Sequence, residues 1–441
     1  MSMLPASNAT TGSAKSNEHA PLLPPGYGVP FILITTLFFL WGIPNNLNDI
    51  LIRQFMKSFA MTRFEAGLIQ SAFYMGYFLL AMPAALVMRK LGYKSGFLIG
   101  LSLFSLGCFL FWPAAIVDRY SFFLAALFII AAGLSFLETA SNPFIAQLGD
   151  PRSAARRLNL AQAFNPIGSI TGVLVGTVFI FSGVELHPTQ IAAMRAHHAY
   201  GTYLHSETMR VVTPYLVLGA LTFAMLVLIA ITRFPAGLTR AEEQETGTSG
   251  FRALLKYPHF MLAVLAQFAY VGAQVGTWSY FIPYIISYTH EPEKFAGYLL
   301  TTTLVAFGIG RFISAWLMRF IHPSLLMAIF CVVNAVLVAV GVVHPGWIGV
   351  WALLLTSFFM SLMYPTIFAQ GLRGLGSNTK IGGSLIVMAI VGGAVLTPIM
   401  GLISVRFGSL ALAYGVPLLA YLFILMYSIV DLRIVIPEPG S

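Results

Sequence analysis

Residues Pro30–Ile52 read PFILITTLFFLWGIPNNLNDILI. The run up to Pro44 is apolar enough for lipid, and the whole stretch is long enough to cross a bilayer, which takes about 20 residues in a helix. Four polar side chains interrupt it, Asn45, Asn46, Asn48 and Asp49, before apolar sequence resumes at Ile50. An acid in such a segment is costly and by default marks a functional position. The stretch therefore predicts a spanning helix whose polar face looks toward other helices and away from lipid.

Outward from this first span (29–57), similar apolar blocks recur at 64–88, 95–116, 121–148, 156–183 and 209–232. A polar stretch from Arg233 to Lys256 follows, holding Arg240, Glu242, Glu243, Glu245 and Arg252. Six more blocks lie at 258–286, 296–318, 324–343, 347–371, 382–405 and 410–432. Only helices can supply so many lipid-exposed segments, because each must satisfy its own backbone groups. Six spans, a charged link and six spans form the pattern of two six-helix halves. The expected fold class is thus an all-α integral membrane protein with twelve transmembrane helices. Its expected parts are a disordered N-terminus (1–28), a first half (29–232), a cytoplasmic linker (233–257), a second half (258–432) and a cytoplasmic tail (433–441).

Composition agrees. Of 441 residues, 58% are hydrophobic and 9% charged, against roughly 25% charged in soluble domains. The net charge of +9 fits Lys and Arg in cytoplasmic loops. No basic patch with interleaved aromatics points to nucleic acid, so the expected surroundings are a lipid bilayer. Cys108 and Cys331 have no metal-ligand spacing, and no disulfide is expected. The first residues lack the pattern of a signal peptide.

With the N-terminus inside, fifteen Lys and Arg fall on the cytoplasmic side and eight outside, with Arg311 left within a span. That bias places both termini in the cytoplasm, so the glycosylation pattern at Asn8-Ala9-Thr10 is discounted. The longest outer loop, 184–208, holds His187, His197, His198 and His205. Closely placed histidines can bind a metal. No cysteine completes a site, so a solvated loop is expected, with no metal and no cofactor.

Two acids fall well inside predicted spans, Asp49 and Glu138. At 3.6 residues per turn Trp41, Asn45, Asn48 and Asp49 share one face. Amides pair with hydroxyls, and an indole covers the apolar face of a pyranose, so this face suits a sugar. Helix-to-helix bonding by the asparagines is the competing reading. Pro44 is expected to distort the helix and free carbonyls. Glu138 sits in GLSFLETASNPF, with Asn142 one turn on and Pro143 expected to break the ladder. Counting along the helices puts Asp49 toward the outside and Glu138 deeper. Two carboxyls at different depths suit passing a proton between sides. A structural ion pair with Arg311 is the alternative. The fifth span adds Gln162 and Asn165 ahead of Pro166. The seventh adds Gln267, Gln274 and Trp278, and the tenth adds Tyr364. Arg311 could contact substrate, pair with an acid or lock a gate. No His-Glu-x-x-His or Ser–His cluster appears in the spans, so an enzyme is not expected.

The stretches WGIPNNLNDIL, AGLIQSAFYMGYF, CFLFWPAA, LETASNPF, LNLAQAFN, AQFAYVGAQ and MYPTIF resemble the fucose–galactose–glucose:proton symporters of the major facilitator superfamily. The resemblance runs from Pro30 to the last span. NNLND and LETAxNPF together most resemble the L-fucose branch, and the glucose/galactose branch lacks the acid at Glu138. The resemblance implies the major facilitator fold and proton-driven import of a monosaccharide, L-fucose first, then glucose, galactose or an amino sugar. It implies a bacterial inner membrane, Asp49 and Glu138 as coupling acids, and Asn45, Asn46, Gln162 and Asn165 along the sugar cavity. A monomer is expected. The superfamily's loop between spans two and three usually carries an acid. Here it reads Arg89-Lys90-Leu91-Gly92-Tyr93-Lys94 and has none.

Overall fold

The computed structural model describes residues 23–24, 26–149, 157, 160–184, 186–234, 254, 256–318, 320–373, 375 and 379–433. Most of the expected disordered N-terminus, 235–253 of the linker and 434–441 of the tail lie outside the described residues.

Among the described residues are twelve helical segments long and apolar enough to cross a membrane. In order they are Gly28–Ser58, Arg63–Met88, Tyr93–Val117, Tyr120–Asn142, Leu160–Ile180 and Tyr200–Ile231. The second six are Pro258–Ser279, Glu293–Leu317, Pro323–Val343, Trp347–Gly371, Leu385–Phe407 and Leu410–Arg433. Large apolar side chains such as Phe179, Leu419 and Ile231 stand exposed on the outside of the bundle. In water such a surface would aggregate; in lipid it is what a spanning helix presents.

Prolines explain where spans break. A proline removes one ladder bond and its ring clashes with the carbonyl four residues earlier. The third span interrupts at Leu110 before Pro113, the fifth at Ala163 before Pro166, and the tenth around Leu362 before Pro365. Tyr280 before Pro283 ends the seventh, and a short helix, Phe281–Thr289, continues it. Pro44 and Pro143 do not act this way. Helix runs unbroken through both, over Gly28–Ser58 and Tyr120–Gln147. Each of these helices packs along neighbouring spans, and such packing holds a spanning helix together across a proline.

The segment 184–208 is also not a plain loop. It forms helices Pro188–Ala196 and Tyr200–Met209. Pro188 occupies the first turn, where its missing N–H costs nothing. The Gln190 side chain accepts from the His187 backbone N–H at 2.8 Å.

In the first half, span 1 packs on span 5, span 2 on span 4, and span 3 on spans 4 and 6. In the second half, span 7 packs on 11, span 8 on 10, and span 9 on 10 and 12. The pattern repeats, as in transporters built from two related halves. Glycine sets the tightest crossing in each. A Cβ on Gly168 would lie 2.0 Å from the Phe39 carbonyl oxygen, and one on Gly392 would lie 2.0 Å from that of Phe268. Across the seam the exchange is reciprocal: span 2 meets span 11, span 5 meets span 8, and span 1 meets span 7.

With twelve spans, both described ends of the chain lie on one face. The cross-half hydrogen bonds gather at the opposite, far end. Arg63 donates to Ser404 at 2.9 Å and to Ser287 at 3.0 Å. The Tyr280 hydroxyl donates to the Arg63 carbonyl at 2.7 Å, and that of Ser71 to the Ala394 carbonyl at 2.7 Å. Lys57 donates to Glu293 at 3.2 Å and also pairs with Glu207 at 3.1 Å. Toward the terminal face Gln162, Phe164, Arg311 and Pro365 are exposed. The far end is shut, and the seam opens toward the termini.

Candidate functional site

Asp49 sits on the first span at the seam. The residue is 2% exposed. Oδ1 accepts from Gln70 Nε2 at 2.9 Å and from the Ser279 hydroxyl at 2.9 Å, and Oδ2 accepts from Asn46 Nδ2 at 3.2 Å. Gln70 lies on span 2 and Ser279 ends span 7, so the carboxyl joins three spans and both halves. No cation pairs with Asp49 among the described residues. A buried carboxyl held only by neutral donors can gain or lose a proton without breaking a salt bridge.

Glu138 lies on the fourth span. It is half-buried and lines a cavity of about 30 Å³ with Tyr77, Ser135, Thr139, Met388 and Ile390. That is room for a water. The cavity spans the seam, since Tyr77 belongs to span 2 and Ile390 to span 11. Asp49 is nine residues from the far end of its helix and Glu138 eighteen from the far end of its own. At 1.5 Å per residue the depths are roughly 14 and 27 Å. The Tyr74 ring on span 2 lies within electrostatic reach of both acids.

Tyr364 is within such reach of both Glu138 and Arg311. Its ring is 6.2 Å from that of Tyr270. Arg311 is exposed within its span, and its guanidinium rests 4.9 Å from the Phe307 ring centre. Among the described residues no carboxylate pairs with it, so the structural ion pair with an acid is not what the structure shows. The arginine stands beside two tyrosines where the seam opens.

The other expected side chains divide. Asn45, Asn142, Gln162, Asn165, Gln274 and Tyr364 keep exposed surface. Gln162 Nε2 donates to Asn142 Oδ1 at 3.0 Å, joining spans 5 and 4. Asn165 Nδ2 donates to the Phe38 carbonyl at 3.3 Å, so it also serves as glue to span 1. Trp41, Asn46, Asn48, Gln267 and Trp278 are sealed. Trp41 packs beside Phe38, ring centres 4.3 Å apart. Trp278 donates to Ser357 at 3.0 Å and meets Phe307 edge-on. Trp278 thus bonds and packs across spans, while the ring contact of Trp41 lies within its own helix. Both amide atoms of Asn48 and of Gln267 are buried with no partner among the described residues.

Sequence reading missed Gln70, Ser279, Tyr74 and the buried acids Glu207 and Glu293. Gln70 carried a signal, as an amide alone in an apolar segment. Lys94, in the loop lacking the expected acid, donates to the Ala230 and Thr232 carbonyls at 2.9 Å each, which caps the sixth span.

The sequence profile of the Major Facilitator Superfamily matches residues 30–380. The L-fucose-proton symporter of Escherichia coli (strain K12) is 43% identical over 409 residues, covering 91% of this chain and 93% of that protein. The glucose/galactose transporter of Brucella abortus is 34% identical over 408 residues, 92% of this chain and 94% of that one. The crystal structure of an E. coli fucose:proton symporter variant aligns with a TM-score of 0.68 at 42% identity, over 92% of this chain and 99% of that one. A second structure, described as a Major Facilitator Superfamily transporter in the outward conformation, aligns with a TM-score of 0.67 at 43% identity, over the same shares. With its repeated six-span packing and its seam-borne carboxyls, this chain belongs to the Major Facilitator Superfamily, in the family of these L-fucose and glucose/galactose transporters.

Proposed function

We propose that this chain imports a monosaccharide, L-fucose first among candidates, together with protons by alternating access. The observation that carries the reading is Asp49, a buried carboxyl at the seam with only neutral partners, in a chain 43% identical to an L-fucose-proton symporter. The relatives are transporters, and the chain is read as one, not as an enzyme. Its place is a bacterial inner membrane, as a monomer, with both termini in the cytoplasm by the Lys/Arg bias. In that orientation the shut far end is the outer one, and the conformation faces inward. A TM-score of 0.67 to a chain so similar in sequence fits a different arrangement of halves from the outward one. The units that rock are residues 29–232 and 258–432, linked through 233–257.

Asp49 and Glu138 are the coupling acids. Asp49 is nearer the outside and takes the proton first. Glu138 is deeper, beside a water-sized cavity, and passes it inward. Asn45, Gln162, Asn142, Gln274, Tyr364 and Arg311 line the sugar path toward the open face. Asn165 contributes from the break in span 5. Sealing of Trp41, Asn46, Asn48, Gln267 and Trp278 in the inward form leaves them as contacts for the outward one.

The identity of 43% to the L-fucose-proton symporter, against 34% to the glucose/galactose transporter, puts L-fucose ahead of glucose or galactose. Competition by a panel of sugars against labelled L-fucose in proteoliposomes tests this. L-Fucose should compete best; stronger competition by glucose or galactose reverses the assignment.

Gln162→Ala and Asn45→Ala are expected to weaken sugar binding. Leaving a hydroxyl partner unsatisfied costs about 1–3 kcal/mol, or roughly five- to a hundredfold in affinity. Calorimetric titration checks both, and wild-type affinity in the two variants would move the sugar path elsewhere.

A further inference from the structure

We propose that Ser279 is a positioning residue for proton coupling: its hydroxyl ties the Asp49 carboxylate to the second half only while the far end is shut, so shutting that end and giving up the proton favour each other. The inference rests on the reading of Asp49 as a coupling acid.

The geometry is specific. Ser279 is fully buried and ends the seventh span, where Pro283 interrupts the helix. Its hydroxyl donates to Asp49 Oδ1 at 2.9 Å, 230 residues away in sequence. Gln70 Nε2 reaches the same Oδ1 at 2.9 Å and Ser279 Oγ at 2.9 Å, closing a triangle across the seam. Asn46 donates to the other oxygen. A carboxylate accepts from all three donors. A hydroxyl donates a stronger bond to a carboxylate than to a neutral acid, so the Ser279 bond favours the charged form of Asp49. Tyr74 is the titratable side chain on span 2 within reach of Asp49, and Glu138 lies beyond it.

Gln70 can serve either form. Its Oε1 is buried with no partner among the described residues. Turning the amide over would offer that oxygen to a protonated Asp49 and withdraw the N–H₂ group. Ser279 cannot follow once the halves part, because it belongs to the other half. Opening the far end therefore removes one carboxylate donor, and shutting it restores that donor. By linkage, whatever favours the carboxylate in the shut state is equally favoured by shutting.

Ser279→Ala, Ser279→Thr and Asp49→Asn, compared in proteoliposomes, test this. Ser279→Ala should lower gradient-driven accumulation about tenfold, the scale of one lost bond to a charged group. It should leave sugar affinity and sugar counterflow within about twofold, since exchange requires no net proton release. Ser279→Thr keeps the hydroxyl and should restore accumulation. Wild-type accumulation in Ser279→Ala, with Asp49→Asn inactive, overturns the tie and leaves Asp49 as the coupling acid. Wild-type accumulation in Asp49→Asn overturns the reading of Asp49 itself. Loss of binding in Ser279→Ala, or no rescue by threonine, also overturns the proposal, because Ser279 would then act in packing or sugar contact.

Discussion

Asp49→Asn is expected to abolish accumulation of sugar against its gradient, and Glu138→Gln to do the same while sparing exchange. Both substitutions keep size and shape and remove the ability to carry a proton. At Asp49 the effect has a second source. The carboxyl accepts three hydrogen bonds from Asn46, Gln70 and Ser279, and an amide places an N–H₂ group against one set of donors. That disturbance lies on the helix face that also carries Asn45, so sugar affinity should shift as coupling is lost. Glu138 has no side-chain hydrogen bond among the described residues and faces a small seam cavity. Glutamine there should disturb binding little. Counterflow and binding measured on both variants separate them. If Glu138→Gln concentrates sugar like the wild type, Glu138 is not a coupling residue.

The second large effect is conformational. On span 11, a Cβ at Gly401 would lie 2.5 Å from the Tyr280 hydroxyl oxygen, 2.6 Å from the Arg63 carbonyl oxygen and 2.8 Å from Phe64 Cα. Two of these are backbone atoms of span 2, which cannot swing aside as a side chain can. A larger side chain fits only if the halves part at the far end. Gly401→Leu is therefore expected to hold that end open, stop transport and preserve sugar binding. Ser71 reports the change, since its hydroxyl reaches the Ala394 carbonyl across the same seam. Cys108 and Cys331 are both buried, which keeps the thiol background low. In a Ser71→Cys background, Gly401→Leu should raise labelling by a membrane-impermeant thiol reagent several-fold. Unchanged labelling with normal uptake would mean that the far end closes without this contact.

The spans were legible because a bilayer writes its thickness into the sequence. The block at 347–371 coincides with Trp347–Gly371, and that at 29–57 with Gly28–Ser58. Breaks were less legible. Pro166 and Pro365 interrupt their helices while Pro44 and Pro143 do not, and nothing in the local sequence separates the two outcomes. Asp49 and Glu138 stood out because an acid in an apolar block has few innocent explanations. Their partners did not, because a lone glutamine or serine in a span is ordinary glue. Gln70 is 21 positions from Asp49 and Ser279 is 230, and no periodicity links such distances. Glu293 and Glu207 fall outside the apolar blocks of the sequence. They are buried because Lys57 and the neighbouring spans close over them.

The central claim is that sugar and protons cross together. Its most direct test is simultaneous recording of L-fucose uptake and internal pH in proteoliposomes holding the purified chain. Adding L-fucose outside should acidify the lumen in proportion to uptake, and an imposed inward proton gradient should drive accumulation that a protonophore abolishes. Uptake with no proton movement, or uptake that follows a sodium gradient and ignores the protonophore, would contradict the account.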